Sequence, residues 1–149
     1  MKTSFFSRAT AFILVLILIL PTFSSCVRKI TLDDAKYTME KLFSAIGEGD
    51  YDAAVKLMYN SSEITSSRIE SFLSEVEDKS GGSFSEGITN IRYTSYAEEA
   101  YSGVPSGSIF RVHGTMNIGS AQNVPFTISL FKSSEGYGVS VFDIDGIAL

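Results

Sequence analysis

The chain has 149 residues, of which 44% are hydrophobic and 19% charged, enough for one domain and too few for two comfortable ones. Seventeen acidic residues against twelve basic ones give a net charge of −5. No basic stripe offsets that acidity, which argues against a nucleic-acid partner and against attraction to an anionic membrane surface. One cysteine rules out an intramolecular disulfide and any multi-cysteine metal site, and no cofactor or metal is expected.

The N-terminus reads as an export segment. Lys2 and Arg8 form a positive start, and Ala11–Leu20 (AFILVLILIL) is an unbroken apolar run ended by Pro21. Ten helical residues span about 15 Å, half a bilayer core, which suits a signal peptide better than a stable span. Small residues, Ser24 and Ser25, then stand directly before Cys26, the only cysteine. Thr22-Phe23-Ser24-Ser25-Cys26 resembles the lipobox read by the bacterial lipoprotein signal peptidase, with Phe23 where Leu is usual. The resemblance implies cleavage after residue 25 and acyl chains such as palmitate on Cys26, which anchor the protein to the cell membrane or outer membrane, outside the cytoplasm. Cleavage without lipid and retention as an uncleaved anchor are the alternatives. The expected organisation is a signal peptide over 1–25, a short tether over 26–30 and one domain over 31–149. Losing Lys2 and Arg8 leaves ten basic against seventeen acidic residues, a net charge of −7.

Three helices are predicted next. Thr31 is an N-cap with Asp34 three residues on. Leu32, Ala35, Met39, Leu42, Phe43 and Ile46 then follow in helical steps of three and four. Gly47 is expected to stop this helix. Asp50 caps a second, with Ala53, Ala54, Leu57 and Met58 inward. A third runs from about Thr65 to Asp78, with Ile69, Phe72, Leu73 and Val76 inward.

After the loop Ser80-Gly81-Gly82-Ser83 the period becomes two. Strands are predicted over Gly87–Ala97, Ser108–Ile118, Val124–Lys132 and Tyr137–Ile144, joined by loops at Gly119–Asn123 and Ser134–Gly136. In the last strand Tyr137, Val139 and Val141 start inward and the pattern then moves to Phe142 and Ile144, which signals a bulge or burial on both faces. The expected fold class is α+β: three N-terminal helices packed on a curved antiparallel sheet of about four strands.

This order, with the run Gly49-Asp50-Tyr51-Asp52-Ala53-Ala54 and a final hairpin whose turn glycine is followed by the aromatic Tyr137, resembles the nuclear-transport-factor-2-like superfamily over most of residues 31–146. The resemblance implies a cone-shaped domain shared with ketosteroid isomerases and many small bacterial lipoproteins. The Trp common in the last hairpin is absent here.

Few residues carry chemistry. His113, the only histidine, alternates with Arg111 opposite Phe110 and Val112, so it belongs on the outer sheet face; inward it would be a general base. Tyr93 and Tyr137 are candidate lining residues of a cone. Asp143 and Asp145, two apart, are expected to share a face, and Glu98 and Glu99 to sit in a solvated loop over Ala97–Gly107. Phe131 is expected on the outer face, where exposure would favour a homodimer packed through that surface. The leading expectation is a non-enzymatic, membrane-tethered envelope domain that binds a small apolar ligand or a protein partner. An isomerase- or cyclase-type enzyme and a dimeric scaffold are the rivals.

Overall fold

The computed structural model describes residues 29–60 and 62–149. The expected signal segment, Cys26 and tether residues 27–28 lie outside the described residues.

Helix α1 (Leu32–Gly47) opens on the expected capping box. The Thr31 hydroxyl accepts from the Asp34 amide at 3.1 Å, and the Asp34 carboxylate accepts from the Thr31 amide at 3.2 Å. Gly47 does not stop the helix; it is the last helical residue, Glu48 caps, and the left-handed turn falls on Gly49 at φ +72°. Helix α2 (Tyr51–Lys56) is capped by the Asp50 carboxylate, which accepts from the Ala53 amide at 2.9 Å. It buries only Ala54. Leu57 and Met58, expected on its inner face, have left the helix, and Met58 instead makes a parallel bridge to Val139. Helix α3 (Ser66–Ser80) starts at Thr65 and buries Ile69, Phe72, Leu73 and Val76, the four expected.

The sheet has five strands rather than about four: β1 (Ile88–Tyr101), β2 (Gly107–Ile118), β3 (Ala121–Ser133), β4 (Tyr137–Ile144) and β5 (Ile147–Ala148). All neighbours are antiparallel and in chain order, so the sheet is an open meander. The additional strand is short; the turn at Asp145-Gly146 folds the C-terminus back, pairing Ile144 with Ile147. β1 also outruns its expected end at Ala97. Glu98 pairs with Phe110, Glu99 with Ile109 and Tyr101 with Gly107, so the residues expected in a loop are strand.

One sheet face meets the helices. Phe110, Val112, Met116 and Ile118 of β2 and Phe126, Ile128 and Leu130 of β3 are buried there, with Met39, Leu42, Phe43 and Ile46 of α1 opposite. Phe43 stands edge-on to Phe126 at 5.5 Å between ring centroids, and Phe72 lies 5.3 Å from Phe142. Each such side chain contributes about 1.5–3 kcal/mol by leaving water, and together they fill the space between helices and sheet. The expected irregularity in β4 is a bulge: Ser129 pairs with Val141 and Leu130 with Val139, leaving Ser140 unmatched. Val139 and Phe142 therefore both point to the core, and Val141, expected inward, faces out at 42% exposure.

Candidate binding surface

The helices leave the helix-side face of β1 largely uncovered from Tyr93 onward. Tyr93 is paired with Gly114 and Tyr96 with Val112, which places both tyrosines on the core side of the sheet. Yet Tyr96 is 61% exposed and Tyr93 37%. Tyr96 lies parallel to Phe110 at 6.0 Å, and Tyr93 stands edge-on to Phe126 at 6.3 Å. Both rings thus extend the core outward as an aromatic shelf beyond α1. Tyr37, on α1, adds a third exposed ring, with the Lys41 ammonium 4.6 Å from its centroid.

Residues 29 and 30 cross the same side of the molecule between two hollows. One, about 220 Å³, is lined by Lys29, Glu98, Ala100, Gly107 and Ser108. Lys29 Nζ is 3.6 Å from Glu98, which also accepts from the Ser108 hydroxyl at 3.1 Å. The other, about 170 Å³, is lined by Ile30, Asp34, Tyr37, Thr38, Lys132 and Tyr137. Tyr137 is half-buried and was expected to line a cone; its phenol instead docks on α1, 2.8 Å from Thr38 Oγ1 and donating to the Asp34 carbonyl at 3.2 Å.

Burial pushes the Tyr137 phenol above its ordinary value; the Asp34 carboxylate adds to that and the Thr38 hydrogen bond opposes it. Burial, with a smaller contribution from the Glu40 charge, does the same for Tyr93. Both phenols are therefore protonated at neutral pH and act as hydrogen-bonding aromatic surface rather than as bases.

His113 is not brought together with Tyr93 and Tyr137. It lies exposed on the outer sheet face, as alternation requires, with Nδ1 2.9 Å from Thr127 Oγ1. Asp143 and Asp145 do not share a strand face, because β4 ends at Ile144. Asp143 Oδ1 accepts from the Gly146 amide at 3.0 Å, and Asp145 pairs with Lys79 at 3.7 Å, so both carboxylates hold the β4–β5 turn. Among the described residues no group of three or more His, Cys, Asp or Glu could hold a metal ion.

Phe131 does face outward but is only 7% exposed. Tyr59 stands edge-on to it at 4.8 Å and Tyr101 at 5.4 Å, and the Tyr59 phenol reaches Ser133 Oγ at 2.7 Å. The apolar patch expected there is covered by the chain's own tyrosines. A further groove of about 480 Å³ between the end of α1 and α3 is lined by Glu48, Glu70, Glu77 and several serines. Glu77 is committed there to the Ser83 hydroxyl at 2.9 Å and the Phe84 amide at 2.6 Å.

Sequence reasoning missed Tyr37, Tyr59, Tyr96 and Lys29. The signal for Tyr96 was present, since Tyr96, Glu98 and Ala100 alternate with Ala97, Glu99 and Tyr101. Tyr59 gave none, because its role depends on a bridge made 80 residues along the chain.

No protein-family model matches the chain, and no curated protein or solved structure matches it either. Among the described residues no helix is long and apolar enough to cross a membrane.

Proposed function

We propose that this protein is a non-enzymatic cell-envelope domain, tethered to a membrane by lipid on Cys26, that binds a partner on its helix-side aromatic shelf. The observation that carries the reading is the exposure of Tyr37, Tyr93 and Tyr96 on the side where the chain leads in at Lys29. Aromatic rings half out of water, each with a polar tip, are the usual anchors of a protein interface. The space between helices and sheet is filled by Phe43, Phe72, Phe126 and Phe142, which favours a protein partner over a small apolar ligand enclosed in a cone. Helices first and an antiparallel meander after support the resemblance to the nuclear-transport-factor-2-like superfamily. An enzyme of the isomerase type would want a free base facing that shelf; the single histidine lies on the opposite face, and Glu98, on the shelf side, is engaged by Lys29 and the Ser108 hydroxyl.

Two measurements test the reading. Cys26→Ser should release the protein from the membrane fraction or leave an uncleaved precursor; a processed, lipid-bearing Cys26→Ser product would sink the tether. Native mass spectrometry of protein purified from a cell extract should show no small-molecule mass that is lost on denaturation. Such a mass would replace the protein partner with an apolar ligand.

A further inference from the structure

We propose that β1 pairs antiparallel with β1 of a second copy about a twofold axis at Tyr96, joining two five-stranded sheets into one. The two edges of the sheet are treated differently. At the β4 edge Val139 donates to the Leu57 carbonyl and accepts from the Tyr59 amide, both at 2.8 Å, and β5 pairs with Asp143 and Ile144. At the other edge β1 runs for 14 residues with no strand beside it among the described residues. An uncovered edge of that length is a template for a further strand.

The charges select a second copy as that strand. Thr94 is the extra residue of a bulge between Tyr93 and Ser95. Allowing for it, Arg92, Ser95, Ala97 and Glu99 share the outer face, and Tyr93, Tyr96 and Glu98 the helix side. With the axis at Tyr96, Ser95 faces Ala97 of the other copy, and Arg92 joins, on the same sheet face, the Glu99 of the other copy that already lies 3.9 Å from its own Arg111, twice by symmetry. An axis at Glu98 would set two like charges against each other. Axes at Ser95 or Ala97 would put Arg92 opposite Ala97 or Tyr101 and form no ion pair.

A second argument rests on the tether reading. Lys29 lies on the helix side beside Glu98. A twofold axis perpendicular to the sheet keeps faces on the same side, so both chains lead toward residue 26 from one side of the dimer. Packing the outer sheet faces together would send them to opposite sides.

The test is disulfide trapping in the full chain carrying Cys26→Ser, solubilised in detergent, so that the introduced thiol is the only one. Cβ atoms directly opposed across an antiparallel pair lie about 4.5–5.5 Å apart, close to disulfide reach. Tyr96→Cys should give a covalent dimer under mild oxidation, and Val141→Cys, on the outer face, should not. Adding Glu99→Arg should cut trapping at position 96 at least tenfold, and Arg92→Glu with Glu99→Arg should restore it. Trapping at 96 no better than at 141, or a double charge swap that fails to restore it, overturns the proposal. Failure of the Cys26→Ser fractionation would remove the tether and leave this trapping result untouched.

Discussion

The Tyr137 phenol joins the start of β4 to α1, and its protonation state matters to the fold. Its folded-state ionisation is raised above the ordinary value, chiefly by burial. A raised pKa in the folded state means the neutral phenol is the favoured form. Its contribution is therefore fully present below about pH 10 and is lost as pH rises through the folded value. We expect urea midpoints to fall as pH rises above about 10, and to fall less in Tyr137→Phe. An equal fall in that variant would assign the loss to other groups. At neutral pH Tyr137→Phe should cost about 1 kcal/mol, the net value of one hydrogen bond. Phe131 makes a harsher case. Although it points away from the main core it is enclosed by Tyr59 and Tyr101, so Phe131→Ala should cost about 3 kcal/mol in denaturant titration. A cost below about 0.5 kcal/mol, usual for open surface, would show that the two tyrosines do not enclose it.

Among the elements, the β4 edge depends on one small residue. A Cβ on Gly138 would stand 2.6 Å from the Tyr59 backbone nitrogen and 2.8 Å from the Leu57 carbonyl oxygen. Both neighbours are backbone, so the segment 57–59 would have to lift away. Gly138→Ala should destabilise by about 1–3 kcal/mol and speed hydrogen exchange at the Val139 and Tyr59 amides, while α3 keeps its protection. Unchanged exchange at those two amides would contradict the contact. This edge also marks the limit of what the sequence discloses. The capping box at Thr31 and the inward residues of α3 follow from patterns within a dozen residues, and the β4 irregularity shows there as either a bulge or burial on both faces. Local period and cap chemistry were sufficient there. The departure of Met58 from α2, the reach of β1 to Tyr101 and the covering of Phe131 depend on partners far along the chain. No local pattern encodes them. The candidate site divides in the same way: His113 was placed correctly by alternation, whereas the open shelf around Tyr96 arises because α1 stops short of β1.

For the whole molecule, charge sets the range of partners. Without Lys2 and Arg8 the chain carries −7, spread without a basic stripe. Such a charge gains nothing from anionic headgroups. The unlipidated domain should not sediment with vesicles rich in phosphatidylglycerol, even at low salt, nor be retained on DNA. Salt-sensitive binding to either would require a cationic surface that the described fold does not display.

The closed β4 edge has a last consequence. A sheet open at both ends can add copies without limit, and a long unguarded strand is then a seed for fibres. Here Leu57, Tyr59 and the two-residue β5 occupy much of one end, so among the described residues β1 is the one long edge open to another chain. Association through β1 uses up the one long free edge that the described residues leave on each copy. The assembly terminates at two, and the long tyrosine-rich strand can stay sticky without becoming a route to polymer.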